Sequence, residues 1–521
     1  MESTPAGLHG IDYTIIFMYL AGVLVIGTYF GRYVKSPGDF FVAGRALPFW
    51  AIGMSIVVSD IGATDFIAVA GGSYRYGLAQ ANFDWLGSMP ALLIAAFLFI
   101  PFYWRAGVYT IPEWLGRRYN AAVQMILAVA WGIILLLNLA IMLYATAVLL
   151  DGVLGWEKGV SIWLTAAVVG IYTIMGGLAA VVMTDVLQLV IMFVGGGALV
   201  ARALYEVGGL AALKEKVLAL GPDYAYHMTL YLPHETPTPF PWTGILLGLG
   251  IVLSTAYFSG NQAVAQRALG ARSEWDAKAG VLLAGFLKLF IPVLVVLPGL
   301  AAILIVPGLT EPDKAVPSLI RLLLPPGLRG LMFAAFLAAL MSSVDSNLNS
   351  ASTLWTQDIL GRLTRWGGMP LGERASLMLG RVLTAALLIL AATVAPIIEN
   401  YENIYTAIQT FFSYIQGPTL AILLLGVLWS RTTQWGALVG LVLGVGLTVT
   451  LNSDAMAGLF PSDDPFLFIS WWSFAFVLVV TVAVSLLTPP DPPERLRGLV
   501  FGQVLTDDEV QAALRARVNR P

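Results

Sequence analysis

Ser59-Asp-Ile-Gly-Ala-Thr-Asp65 interrupts an otherwise apolar run from Phe49 to Ala70 with two carboxylates, two hydroxyls and a glycine. Lipid offers such groups no partners, so a helix that carries them at membrane depth is expected to unwind there and to line a polar space. A second interruption, Ser254-Thr-Ala-Tyr-Phe-Ser-Gly-Asn261, breaks the run from Trp242 to Arg267. Each opens a block of five apolar segments, about Phe49 to Ala203 and Trp242 to Trp429. Five is odd, so the second block enters the membrane in the opposite sense to the first. Matched breaks in the first helix of inverted halves point to a mid-membrane binding site, where unwound carbonyls meet a cation and half-helix ends meet a solute.

The rest of the chain agrees with a membrane setting. Over 521 residues it is 58% hydrophobic and 11% charged, with a mean hydropathy of +0.82. The composition predicts an all-α polytopic membrane protein, and the lipid bilayer is its expected surrounding. With no cysteine, disulfide and thiol chemistry are excluded. His9, His227 and His234 all lie outside apolar segments, which argues against a membrane-embedded zinc site. No His-x-x-x-His or Gly-x-Ser-x-Gly pattern supports an enzyme, and no nucleic-acid partner is expected. Glu2 and the lack of a basic start before the first apolar run argue against a cleaved signal peptide.

Windows of about 20 residues give roughly thirteen transmembrane helices. The chain divides into an extra helix and loop (1–47), a first five-helix repeat (48–205), a connection (206–241), a second inverted repeat (242–430), two further helices (431–488) and a tail (489–521). About 19 basic residues, Arg267 among them, fall on one side and roughly 8 on the other. That bias predicts a plasma (inner) membrane protein with its N-terminus outside and its C-terminus cytoplasmic.

A third polar stretch, Ala338 to Asp358, lies in a span that begins near Leu328. On a helix, Ala339, Ser342, Ser343 and Ser346 fall at i, i+3, i+4 and i+7, which puts small oxygen-bearing groups on one face. Such a face approaches another backbone closely and offers hard oxygen ligands to a small cation. Asp60, Asp65, Asp84, Asp185, Lys288 and Asp345 are intramembrane charges, each costing a few kcal/mol unless paired or hydrated; function is their default reading.

The runs AALMSSVDSNLNSASTLWTQDI (from Ala338), GGLAAVVMTDVLQ (Gly176 to Gln188), FFVAGRALPFW (Phe40 to Trp50), IPEWLGRRY (Ile111 to Tyr119) and GNQAVAQRALGA (Gly260 to Ala271) together resemble the sodium/solute symporter family. That family includes sodium/glucose, sodium/proline, sialic acid and iodide transporters, and the resemblance spans about Gly27 to Trp429. It implies the inverted-repeat core named after the bacterial leucine transporter, with Na⁺ as coupling ion. The main sodium site it implies uses the carbonyls of Val58, Ile61 and Ala339 and the hydroxyls of Ser342 and Ser343. Some members hold a second sodium through the acid matched here by Asp185, with Ser342 and Ser346 nearby. Asp345 stands where relatives often carry a small neutral residue, and is open as a second-site ligand, a proton carrier or the partner of a charge elsewhere in the bundle. Asp60 matches an aspartate of the proline transporters and would assist sodium access.

For the solute, the resemblance is nearest to the sodium/glucose (galactose) cotransporters. Their acid, amine, amide and stacking tyrosine are matched by Asp84, Lys288, Gln409 and Tyr257. Asp65 replaces a glutamine or histidine, Ser254 an asparagine or threonine, and Phe258 a tryptophan; Asp84 is one methylene shorter than the usual glutamate. The expected function is therefore sodium-coupled import of a small polar solute, a sugar or polyol first, with an amino sugar or small zwitterion open and a strong anion disfavoured by Asp65 and Asp84. The runner-up is a symporter for proline or another small amino or carboxylic compound. A channel is a different class, and would have no need of matched broken helices. The oligomeric state is not encoded in any of these features.

Overall fold

The structure is a computed structural model and describes residues 8–62, 65–236, 238, 240–400, 404–453, 456, 459–460, 465–503, 505–506, 508–510 and 512. Of residues 152–154, 399–400 and 404–411 it describes the helix and not the side chains.

Among the described residues, nine helices are long and apolar enough to cross a membrane, and two bent pairs each add one more. One of the nine, Lys158–Val207, has 50 residues. At 1.5 Å per residue it would reach about 75 Å, well beyond a hydrocarbon core of roughly 30 Å. It is divided at Gly177, where φ is 51° and ψ −146°, a conformation open to glycine alone. With that division and with Ile404–Leu428, the described chain carries the thirteen segments that hydropathy predicts.

In chain order these are α1 (Gly10–Gly31), α2 (Phe49–Asp60, resuming at Asp65), α3 (Phe83–Ala106), α4 (Ala121–Leu154), α5 and α6 (158–176 and 178–207), α7 (Gly244–Gly260, resuming at Gln262–Leu269), α8 (Glu274–Ile305), α9 (Leu328–Trp366), α10 (Glu373–Ile398), α11 (Ile404–Leu428), α12 (Gln434–Leu451) and α13 (Phe466–Leu487). The two bent spans each stand first in a group of five.

The bends have local causes. α2 stops at Asp60, Ile61 is extended (φ −102°, ψ 101°), and the axis turns by 64° before the helix resumes. In α7 the helix continues through Ser254 and Tyr257 to Gly260, and the 53° turn falls at Asn261. The expected interruption over Ser254 to Asn261 is therefore narrower than its polarity suggests. The Thr255 hydroxyl bonds back to the Gly250 carbonyl at 3.3 Å, so a hydroxyl is accommodated there within the helix. Asn261 restarts it by accepting the Ala263 N–H at 2.9 Å.

α9 is the central element: 94% of its apolar window is buried, against 22% for α1. Its neighbours approach through small residues. A Cβ on Gly195 of α6 would sit 3.0 Å from that of Ala335, and one on Gly53 of α2 would sit 2.8 Å from the Gly280 carbonyl of α8. On α12, Gly436, Gly440 and Gly444, four apart, face Ser485, Thr481 and Val477 of α13. Such surfaces let helices associate where lipid offers no hydrophobic drive.

At one end of the bundle, Arg118 is fully buried and donates to the carbonyls of Gly426, Trp429 and Thr432 at 2.9–3.1 Å. Asp491 of the tail lies 3.7 Å from its guanidinium. Phe501 N–H donates to the Val427 carbonyl at 2.8 Å, so the start of the tail is laid across the end of α11 and the short helix Ile111–Arg118.

Candidate functional site

The break in α2 frees backbone oxygens at the two residues where cation ligands are expected. In an unbroken helix the Val58 carbonyl would accept from Gly62 N–H and the Ile61 carbonyl from Asp65 N–H. Here Gly62 N–H donates to the Asp65 carboxylate at 2.7 Å, and Asp65 N–H to the Gly62 carbonyl at 3.1 Å. Both oxygens thus lose their helical donors, in a segment where Val58 and Ile61 are buried.

The same segment meets the hydroxyl face of α9. Ser59 Oγ lies 3.4 Å from Ser342 Oγ and 3.0 Å from Ser346 Oγ. Ser343 Oγ donates to the Ala339 carbonyl one turn back at 3.1 Å, and Ala339, Ser342 and Ser343 are all buried. Carbonyls and hydroxyls without net charge make a set suited to Na⁺ rather than to Mg²⁺ or Ca²⁺, which recruit carboxylates.

Behind Ser59 lies a second polar cluster. Asp185 of α6 accepts from Ser342 Oγ at 2.6 Å, from Ser59 Oγ at 3.2 Å and from Ser55 Oγ. Arg267 of α7 reaches into the same cluster, donating to Asp185 at 3.3 Å, to Ser59 and Ser55 at 2.6 Å each, and to Ser346. The charge bias counts Arg267 among the basic residues of one membrane side; its side chain is 1% exposed and drops out of the count that orients the chain. Asp345 faces the other way, towards α5, where Tyr172 Oη donates to it at 2.6 Å, with Ser346 Oγ at 3.2 Å. The predicted second-site residues Asp185 and Ser346 are therefore brought together with an arginine between them, while Asp345 is held by a tyrosine.

On the open side of the break, α2, α3, α4, α7, α8, α9 and α11 enclose a cavity of about 200 Å³, smaller than most ligand pockets. Asp60, Asp65, Asp84, Ser254, Tyr257, Lys288 and Ser343 line it, with the rings of Phe83, Phe258 and Phe412. Lys288 ends a helical stretch of α8 and points between two acids, 2.9 Å from Asp84 and in contact with Asp60. It also stands over the Phe258 ring, 5.5 Å from the centroid. Trp85 holds the π-helical turn that carries Asp84, donating from Nε1 to the Leu289 carbonyl at 3.0 Å. Tyr257 packs edge-on against Phe412 at 6.0 Å.

Five of the six predicted solute residues share this cavity; the sixth, Gln409, has its side chain outside the described residues. Asp60, expected to assist sodium access, lies against Lys288. Asn138, Asn347 and Gln416 also line the cavity, and Asn138 donates to Asn347 at 3.1 Å. A polar residue among aliphatics, as at Asn138 in Ile133–Ile141, is the sequence signal that could have found them.

Two broken helices that meet beside a polar cavity at the centre of a thirteen-helix bundle define a secondary transporter of the inverted-repeat class. The sodium:solute symporter family model matches residues 40–444. A sodium/glucose cotransporter of Vibrio parahaemolyticus is 32% identical over 513 residues, covering 94% of this chain and 92% of that protein. A sodium/myo-inositol cotransporter of Canis lupus familiaris is 31% identical, covering 95% and 76%. A solved Na⁺-coupled sialic acid symporter, 22% identical, has the same fold with a TM-score of 0.80 over 92% of this chain and 99% of that one. The chain belongs to the sodium:solute symporter family, and sodium is its coupling ion.

Proposed function

We propose that the protein imports a sugar or polyol with sodium by alternating access, and that it does so in the plasma (inner) membrane with its N-terminus outside. Sodium binds between the freed carbonyls of Val58 and Ile61 and the Ala339, Ser342 and Ser343 oxygens. It ties the first half of α2 to α9 and orders the adjoining cavity wall. The solute then lies between Asp84, Lys288, Asp65 and Ser254, with Tyr257 and Phe258 covering its apolar face. Rocking of the bent helices against α9 exposes both ligands to the cytoplasm, where low sodium and a negative potential favour release, each charge contributing roughly 2.3 kcal/mol per 100 mV. The ions bias a conformational equilibrium by binding one state better than another. The second sodium expected at Asp185 and Ser346 is not part of the proposal, because the Arg267 guanidinium already sits between these two residues.

The observation that carries this reading is that the loop freeing the Val58 and Ile61 carbonyls also supplies Asp60 and Asp65 to the cavity wall, so ion and solute share one segment of backbone. The proline-type alternative rested on Asp60, which is spent on Lys288 and carries it no further. The test is uptake into proteoliposomes across hexoses, polyols and proline, with and without an inward sodium gradient. Gradient-driven accumulation of a sugar or polyol is expected; accumulation of proline alone would overturn the solute class.

A further inference from the structure

With Asp60, Asp65 and Asp84 all ionised, the cavity holds more negative charge than its own basic group balances. Lys288 is shared by Asp60 and Asp84, so one cation already answers two carboxylates. Asp65 is a third: one oxygen accepts Gly62 N–H at 2.7 Å, and among the described residues no lysine, arginine or other side-chain donor meets it. The other basic residue of the bundle centre, Arg267, is fully engaged with Asp185, Ser55, Ser59 and Ser346. A sodium ion at the α2 break would offset one charge, and the cavity would still be anionic.

From this imbalance we infer that the solute is a cation: an amino sugar or amino polyol whose ammonium group seats against Asp65 while its hydroxyls meet Asp84, Lys288 and Ser254. The inference rests on the sugar-type reading above and narrows it. The chemistry is consistent at each contact. An ammonium gives Asp65 charge-assisted hydrogen bonds, and the Phe258 and Tyr257 faces beside it attract cations as well as covering an apolar ring. A neutral hexose would satisfy the hydroxyl partners but leave Asp65 buried under the solute without a counter-charge. An anionic solute would be repelled by three acids. Among the described residues, the titratable and charged groups that face the cavity are Asp60, Asp65, Asp84, Lys288 and Tyr257, and of these acids Asp65 alone has no basic partner there.

The test uses the intact protein in sodium-containing buffer, at a pH well below the pKa of the amine. D-glucosamine, D-glucose and N-acetyl-D-glucosamine are compared by calorimetric binding, the acetyl compound keeping the ring and removing the charge. Glucosamine is expected to bind at least about tenfold more tightly than the other two, and Asp65→Asn to weaken glucosamine by about tenfold or more while leaving glucose binding measurable. Because the same variant sample reports both sugars, loss of folding is told apart from loss of charge. In electrical recordings from proteoliposomes, glucosamine carries one more charge per solute than glucose. Equal affinity for glucose and glucosamine, or an unchanged ratio in Asp65→Asn, would overturn the cationic assignment while sodium-driven sugar uptake stood. Absence of sodium-driven uptake of every sugar, charged or neutral, would instead remove the reading on which it rests.

Discussion

Arg267 and Asp185 form an ion pair at 3.3 Å, with side chains 1% and 0% exposed, directly behind the serines expected to hold sodium. Breaking such a pair from one side leaves an uncompensated buried charge. Arg267→Ala is therefore expected to destabilise the protein by about 3–5 kcal/mol. Arg267→Ala with Asp185→Asn should cost less than the sum of the single changes, because each removes the penalty left by the other. Thermal unfolding of the purified proteins measures both terms; strict additivity would mean that the pair is not coupled in the folded state.

Lys288 plays the same part for two acids at once. Lys288→Ala removes a donor to the solute hydroxyls and leaves Asp60 and Asp84 to repel each other across the cavity, and affinity for a neutral sugar such as D-glucose is expected to fall by at least about tenfold. Sodium affinity should fall much less, since the proposed ion ligands are neutral oxygens on the other side of the α2 break. Equal losses of both in binding titrations would place Lys288 in a structural role instead.

Gly177 divides one 50-residue helix into two spans, and a Cβ there would stand 2.3 Å from the Phe40 carbonyl in a φ that L-residues avoid. Gly177→Ala is expected to cost about 1–3 kcal/mol or to reduce insertion outright. Gly197→Ala, where nothing lies within 4 Å, should be tolerated within about 0.5 kcal/mol. Melting temperatures and membrane yield of the two variants separate these outcomes.

The helical spans and the two bent helices were legible because bilayer physics forbids unpaired polar backbone and the sequence shows where it occurs. The α9 oxygen face was legible because Ala339, Ser342, Ser343 and Ser346 repeat at helical spacing. Arg267 was not: next to Arg272 and Lys278 it reads as part of a basic loop, and only the 53° turn at Asn261 carries it inward. Nor was the sharing of Lys288 between Asp60 and Asp84, because contacts among residues separated by some two hundred positions leave no local pattern. In α7 the sequence overstated the break, since Ser and Thr hydroxyls that bond back to a helix look the same as those that replace it.

His227 lies in the 206–241 connection, and burial lowers its pKa from the usual 6.5. Among the described residues its Nδ1 has no hydrogen-bond partner, and its ring is flanked by Tyr224 and Tyr226 at 4.8 and 4.7 Å. Because the folded form binds its proton less well than the unfolded form, the connection keeps its full stability above about pH 6.5 and loses some as pH falls below it. The Leu78 N–H, which donates to the His227 carbonyl at 2.7 Å, should exchange with solvent relatively faster at pH 5.5 than intrinsic rates predict. In His227→Phe that excess should vanish; an equal excess in the variant would exonerate the histidine.

The most direct measurement is sodium-induced stabilisation of the purified protein, titrated against choline at constant ionic strength. At about 100 times its Kd, sodium bound at one site should stabilise the native state by ~2.7 kcal/mol. In the Ser342→Ala, Ser343→Ala double variant the sodium-specific shift should disappear while the fold persists in choline. A shift of the same size and midpoint in that variant would show that the coupling sodium does not bind between α9 and the break in α2.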